Sequence, residues 1–487
     1  MKVQLDWVLA QKTLVLSILL LWPLFLAGRP AYISDSASYL KGGKVAVEFV
    51  TAKLLPRFAA IQEPASSRTE MSASASDAVG LQKAPKGARS VPYSVTAYVL
   101  RWPGIDMTAL AIAQSVCAAF ICAVVAAALG AARWGQFLIV GVIVAFATPL
   151  APSCAYAVPD VFSGFVIATV ALLALLLDRM SIGVRVMIAA ITSFAVTVHP
   201  SVPPLALGLA VLAVGVLLAR GRLGIQRVRW AWAWLVIPPL LGFIANIVIG
   251  YVAFGDVSVA AKRFPTALTR SVVDGPARWY LEKHCATDHY AVCEVFGTKI
   301  PSTVNDFLFY KWGLNGRATP EQMDRIRDEE AEIVIRAALE YPGYEAYNLS
   351  RNVIFQLAKF DLGNSRFKER LAFDAAGQPE LVSSGLDIQT EMRFVDFLNC
   401  LTLTFCIVWM IINLRSLDNR TRALIFLVIA GLVGNATIVV AFSSLASRYQ
   451  ARVVWVLPLF VLSLAVAQFR NGREKANQSE GDLRHTA

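Results

Sequence analysis

Charge is in short supply in this sequence. Only 16% of its 487 residues are Asp, Glu, Lys or Arg, against 56% that are hydrophobic, and the mean hydropathy is +0.57. That balance excludes an ordinary soluble domain, in which about a quarter of the residues are charged. No Gly-x-x-x-x-Gly-Lys loop occurs, which argues against an ATP-driven pump. Neither an internal repeat nor a sustained heptad pattern is present. The formal net charge of +11 is not gathered into a basic patch with interleaved aromatics, so nucleic acid is not an expected partner.

What the chain has in abundance is long apolar runs. A hydrocarbon core of about 30 Å takes roughly 20 helical residues to cross. Ten runs meet or approach that length, at about 8–28, 106–130, 134–150, 160–178, 184–199, 202–220, 230–254, 393–413, 422–442 and 450–468. The fifth and sixth are short and separated only by Pro200 to Pro204, as a tight hairpin or as two half-depth helices. The fold class expected is therefore an all-α polytopic membrane protein with about ten transmembrane helices.

Basic residues set the expected orientation. With the N-terminus inside, one set of loops holds Lys2, Lys12, Arg133, Arg179, Arg185, Arg220, Arg222, Arg227, Arg229, Arg415, Arg420, Arg422, Arg470, Arg473 and Lys475. The short loops near Ser153 and Pro200, on the other side, have no Lys or Arg. The positive-inside rule then places both termini in the cytoplasm. The first run is read as a retained anchor rather than a cleaved signal peptide, because nine further runs follow it.

Two outward segments are too long to be connectors, and they divide the chain. An N-terminal membrane region, 1–254, carries the first outer loop at 29–105. The second segment, 255–392, is inserted as a mainly helical outer domain. A C-terminal membrane region, 393–470, and a cytoplasmic tail, 471–487, follow. Within the first loop, Glu63 to Gly87 is rich in Ala, Ser and Lys and reads as a loop with too little apolar surface to order itself. The stretch Ser36–Leu55 has helical spacing of Tyr39, Leu40, Val45, Val47, Val50 and Leu54. It predicts a surface-lying amphipathic helix capped by Ser34 or Asp35. In the second segment, Thr319-Pro320-Glu321-Gln322 reads as a capping box opening a helix to about Glu340. A further helix is expected over roughly Tyr344–Phe360. Cys285 and Cys293 close a short loop on the side expected to be oxidising, which favours a disulfide. A metal site using both thiols with His284 and His289 is the alternative, although the spacing does not match common zinc knuckles. The remaining cysteines, 117, 122, 154, 400 and 406, lie in or beside apolar runs and read as packing residues.

The candidate chemistry lies at one membrane depth. Asp35 follows the first run in Ser34-Asp35-Ser36-Ala37-Ser38-Tyr39, and Asp160 opens the fourth run on the same outer face. Ionisable groups at such depths are costly and tend to serve a function. Ser447-Arg448-Tyr449 sits at the outer mouth of the last run, and the arginine fork suits a phosphate. Each residue also has a structural explanation. Asp35 and Asp160 are placed to cap helices, and Arg448 to snorkel toward head groups. Tyr39 and Tyr449 lie at the depth of an aromatic belt, and His199, before Pro200, is placed for a structural hydrogen bond. The tryptophans 230, 232 and 234 read as a belt at the inner interface.

In Ser34-Asp35-Ser36 through Tyr39, Pro159-Asp160-Val161 and Ser447-Arg448-Tyr449-Gln450 before a run containing Pro458, the chain resembles the GT-C superfamily of polyprenyl-phosphate-sugar-dependent glycosyltransferases. The likeness is to bacterial members related to protein mannosyltransferases and the lipid A aminoarabinose transferase. This resemblance implies a GT-C-like fold in a bacterial inner membrane, with the large loops periplasmic. It also implies an inverting sugar transfer from a polyprenyl-phosphate donor to a lipid, glycan or protein acceptor. Asp35 would be the general base and Arg448 would stabilise the departing phosphate, with Asp160, Tyr39, Tyr449 and His199 around the substrates. Many members carry two adjacent acids in the first loop. Here Ser36 follows Asp35, which favours a single carboxylate over metal assistance. No cofactor is implied, and a divalent metal is not indicated.

Two other classes share the layout. A transporter or lipid flippase should carry ionisable residues near the middle of its spans. Here the nearest exceptions are Asn246 and Asn435. A non-catalytic membrane scaffold would use the 255–392 segment to hold a partner.

Overall fold

The computed structural model describes residues 2–54, 89–101, 106–219, 221, 230–362, 367–374 and 378–469. The expected loop at 63–87, the tail at 471–487 and the basic residues Arg220, Arg222, Arg227, Arg229, Arg470, Arg473 and Lys475 lie outside them.

The first apolar run forms α1 (Trp7–Leu20) and α2 (Trp22–Ala27), with a break at Leu21 just before Pro23. A left-handed Gly28 ends α2. Then come α3 (Ser34–Leu54), α4 (Val91–Val99), α5 (Thr108–Ala128), α6 (Trp134–Phe146), α7 (Leu150–Ala155) and α8 (Phe162–Leu175). A hairpin of α9 (Ile182–Val198) and α10 (Val202–Leu218) precedes α11 (Ala231–Phe254). The next segment holds α12 (Thr266–Asp274), α13 (Pro276–Asp288), α14 (Ala291–Phe296), α15 (Leu314–Arg317), α16 (Pro320–Glu340) and α17 (Pro342–Ala358). Strands β1 (Glu369–Phe373) and β2 (Pro379–Ser383) pair antiparallel, with Leu371 opposite Leu381. The chain closes with α18 (Gln389–Asn413), α19 (Asn419–Phe442) and α20 (Arg448–Phe469), the last broken at Trp455.

Among the described residues, six helical segments are long and apolar enough to cross a membrane, namely Trp7–Ala27, α5, α11, α18, α19 and α20. Four shorter apolar helices accompany them, at Trp134–Phe146, Pro159–Leu175, Ile182–Val198 and Val202–Leu218. The architecture is that of a multi-pass helical membrane protein. The fifth and sixth apolar runs form a hairpin turning through His199–Ser201.

The centre of the bundle is α8, whose every residue is buried. A helix that is apolar all round has no face to give to solvent and takes the middle. Gly164 lets it approach α20, since a Cβ there would lie 2.7 Å from the Arg452 carbonyl oxygen. One end of the bundle is basic. There Val3 pairs with Met180, Lys12 caps the Ala132 carbonyl, and Arg420 binds Asp178 while its Nε donates to the Leu175 carbonyl at 2.6 Å.

At the opposite end a parallel bridge joins Ala31 to Tyr156. Ala31 N donates to Ala155 O at 2.9 Å, and Ala157 N donates to Ala31 O at 2.9 Å. The helix expected over Ser36–Leu55 is present as α3, but its apolar positions do not share one buried face: Tyr39 and Leu40 pack inward while Val45 and Val50 are exposed. Gly43 sets α3 against α4 backbone to backbone, since a Cβ would stand 2.0 Å from Ser94 O.

The 255–392 segment has a core of its own around Leu268, Tyr280, Phe307, Met323 and Ile333. Helix α16 starts in the expected capping box of Thr319 and Gln322 and ends at Glu340. Helix α17 begins two residues earlier than expected, with Pro342 at its first turn and Gly343 inside it. The β-hairpin was not anticipated from the sequence. Arg29 anchors it to the membrane region by donating to Phe367 O at 2.7 Å and Glu369 O at 3.2 Å.

Cys285 and Cys293 are disulfide-bonded, with their Cα atoms 5.4 Å apart. Both thiols of the alternative metal set are thereby used. His284 instead bonds Glu340 at 3.1 Å and stacks on Tyr280. A cross-link between residues eight apart in sequence restricts the unfolded chain by about 2.5 kcal/mol in the chain-entropy account. Replacing both cysteines by serine should destabilise this segment by about that amount, measured as a fall in its unfolding midpoint under non-reducing conditions. An unchanged midpoint would show that the surrounding core fixes the loop unaided.

Candidate functional site

The bridge between Ala31 and Tyr156 brings two loops together, and each leads at once into a carboxylate. From Ala31 the chain turns into the first turn of α3, where Asp35 sits. Neither Ser34 nor Asp35 is the cap, since both lie within the helix. Ser36 Oγ instead accepts the Ile33 N–H at 3.1 Å. From Tyr156 the chain enters a short 3₁₀ turn, Pro159–Val161, that carries Asp160 directly into α8. No side-chain cap is made there, so the capping explanation for Asp160 is also set aside.

Asp160 is held by α20. Arg452 Nη1 donates to Asp160 Oδ1 at 2.9 Å, and its Nη2 donates to Ser201 Oγ at 2.9 Å and Asn435 Oδ1 at 3.0 Å. This guanidinium is only 1% exposed. Its partners come from the turn before α8, the α9–α10 turn and α19, so one side chain ties four parts of the bundle together. Asn435 also donates to Tyr449 O at 2.7 Å.

One helical turn before Arg452, Arg448 reaches between the two acids. Its Nη2 is 3.8 Å from Asp35 Oδ2 and its Nε 4.0 Å from Asp160 Oδ2. Its side chain keeps 39% of its surface exposed. Tyr449 lies between the two guanidiniums, each 5.0 Å from its ring centroid, an arrangement favourable for cation–π attraction. Asp35 Oδ1 also accepts from Arg89 Nη2. His199 Nδ1 is 2.8 Å from Ser201 Oγ, and Nε2 is 3.9 Å from Asp160 Oδ1. Tyr39 is buried and meets Tyr93 edge-on at 4.8 Å, so it is not a belt residue.

All six residues singled out from the sequence line one cavity of about 1180 Å³. Its volume exceeds the roughly 300–1,000 Å³ of most small-molecule sites. The cavity extends beneath the 255–392 segment to Arg263, Arg270, Asp274 and Asn352. There Arg270 binds Glu345 and is 3.6 Å from Asp274. Burial raises the Asp274 carboxyl above its usual range, against the lowering effect of Arg270. The cavity lining holds five guanidiniums (Arg89, Arg263, Arg270, Arg448, Arg452) against four carboxylates (Asp35, Asp160, Asp274, Asp361), and Ser447 Oγ donates to Asp361 Oδ2 beside Arg448. Among the described residues no cluster of three or more His, Cys, Asp or Glu side chains is arranged to hold a metal.

Sequence reasoning missed Arg452, Arg89, Ser201 and Asn435 as a set. Arg452 did carry a signal, because it lies four residues after Arg448 and inside an apolar run, where an unpaired charge is expensive. Arg89 carried none. No family model, curated protein or solved structure matches this chain.

Proposed function

We propose that the protein is an integral-membrane glycosyltransferase. It moves a sugar from a polyprenyl-phosphate donor to an acceptor hydroxyl at the outer face of the membrane, with Asp35 as general base. The observation that carries this reading is the cavity at the end of apolar helices, where Arg448 stands between Asp35 and Asp160 and five guanidiniums meet four carboxylates. Their formal sum is one positive charge, which matches the single negative charge of a phosphodiester.

The chemistry follows from that arrangement. The acceptor oxygen attacks the anomeric carbon with inversion as its proton passes to Asp35. The anomeric C–O bond to phosphate breaks, and its electron pair stays on the phosphate. The leaving group becomes more negative as the bond breaks, so Arg448 binds it more strongly in the transition state than in the ground state. Arg452 orients Asp160, whose charge keeps Arg448 between the two acids. The layout proposed is ten membrane passes in a bacterial inner membrane, both termini cytoplasmic, with the 255–392 segment and the Cys285–Cys293 disulfide in the periplasm.

The six candidate residues lie at the rim of the bundle rather than midway along its helices, which favours transfer over transport. The test is transfer of radiolabelled sugar in reconstituted vesicles from a polyprenyl-monophosphate donor, with a nucleotide sugar as the comparison. Label should move from the lipid-linked donor only. Transfer from the nucleotide sugar alone would overturn the donor class, and uptake of the lipid donor without transfer would favour a flippase.

A further inference from the structure

Arg89 has no part in the chemistry above, yet it occupies the general base. Its Nη2 donates to Asp35 Oδ1, while Arg448 keeps 3.8 Å from the other carboxylate oxygen. A base that must receive a proton from an acceptor hydroxyl is here bonded to a cation instead. The same guanidinium lies 6.0 Å from the Phe264 ring centroid, on the 255–392 side of the cavity. It arises one residue before Ser90, the N-cap of α4, whose hydroxyl donates to Thr197 O at 2.8 Å. Arg89 is therefore anchored at its backbone but about one-third exposed at its head.

A second observation concerns what Arg89 faces. A narrow crevice of about 50 Å³ runs between α4, α9 and α11, lined by Thr197, Asn246, Ile249, Gly250 and Phe254. Arg89 and Arg263 are the two charged residues that border both this crevice and the main cavity. Arg263 is committed to Glu330 at 2.5 Å. The far side of α11 exposes Leu240, Leu241, Ile244, Val248 and Val252, an apolar face suited to lipid. The crevice thus marks a seam between that lipid-suited helix and the cavity, with Arg89 where the two meet.

Building on the transferase reading, we propose that Arg89 is a ligand of the donor phosphate that stands against Asp35 only while the site is empty. A lipid-linked phosphodiester arriving along α11 takes the guanidinium, and Asp35 Oδ1 becomes free for the acceptor hydroxyl. No covalent bond changes in this step, because one anion replaces another as partner of the same cation. The base is thereby exposed only when a donor is present, and donor binds before acceptor. Lysine at this position supplies charge without the planar fork and should substitute in part.

The test uses the full-length protein in detergent, as wild type, Arg89→Gln and Arg89→Lys, with farnesyl phosphate as the probe. Arg89→Gln should weaken farnesyl phosphate binding by about tenfold, equivalent to about 1.4 kcal/mol, and Arg89→Lys by less. In ligand-free protein, carbodiimide labelling of Asp35, mapped by mass spectrometry, should be faster in Arg89→Gln than in wild type. Inorganic phosphate at the same concentration should not displace farnesyl phosphate. Unchanged affinity in Arg89→Gln would overturn the phosphate role, and equal labelling rates would overturn the masking of the base. Displacement by inorganic phosphate would overturn the lipid source. If wild type itself bound no farnesyl phosphate, the transferase reading would fail along with this inference. If wild type and Arg89→Gln bound it equally, only the role of Arg89 would fail.

Discussion

Asp35→Asn should lose sugar transfer by about 10²–10⁴-fold, the range that a well-placed base contributes, while the protein remains folded. Asparagine keeps the size of the side chain and one acceptor oxygen but cannot take a proton from a hydroxyl. Folding should change little. The Asp35 side chain is 21% exposed and its partner Arg89 32%, and ion pairs in partly solvated settings add only about 0–1 kcal/mol. Donor affinity should hold or rise, because removing one carboxylate takes the formal charge of the cavity lining from +1 to +2. The discriminating measurement is therefore kcat together with the affinity for donor, in the same preparation. A mutant that still turned over at a tenth of the wild-type rate would remove Asp35 from the chemistry. A mutant that lost both turnover and donor affinity would make it a binding group instead.

The sequence indicated the depth of each polar residue but not its neighbours. Asp35, Asp160, Tyr39, His199, Arg448 and Tyr449 each fall toward the same end of an apolar run, and that much follows from run length and loop charge. Which runs lie side by side is a long-range matter. The Ala31–Tyr156 bridge joins residues 125 apart in sequence, and no local pattern announces it. Local signals did transfer. The capping box at Thr319 and Gln322 is made as read, since all its atoms belong to one helical turn. The hairpin of β1 and β2 did not transfer. Its two five-residue strands are short, and they gain stability by packing on α3 and on Arg29 rather than from their own alternation. Asn435 shows the same limit from the other side. The sequence offers it as a lone polar residue within an apolar run, whereas the fold uses it to bond Arg452.

Arg452→Met should cost about 3–5 kcal/mol of stability, the penalty for leaving one member of a buried ion pair without its partner. Methionine fills a comparable volume, so the loss would not come from a cavity. It would come from Asp160, which would lose its 2.9 Å partner inside the bundle, and from Ser201 and Asn435, which would lose theirs. Lysine would not restore the set, because one ammonium cannot hold the geometry of a planar fork that serves three partners at once. The double variant Asp160→Asn with Arg452→Met separates stability from chemistry. With no unpaired charge left to bury, it should recover most of the lost stability. It should nevertheless transfer poorly, because Arg448 would have lost the carboxylate that faces it from the turn before α8. The measurement is the fraction of folded protein after a thermal challenge, read by size-exclusion chromatography, followed by an activity assay on the folded fraction. Wild-type stability in the single variant would mean that Arg448, 4.0 Å from Asp160, is partner enough for the buried carboxylate. Full activity in the double variant would mean that the pair only braces the helices, leaving Asp35 and Arg448 to act without it.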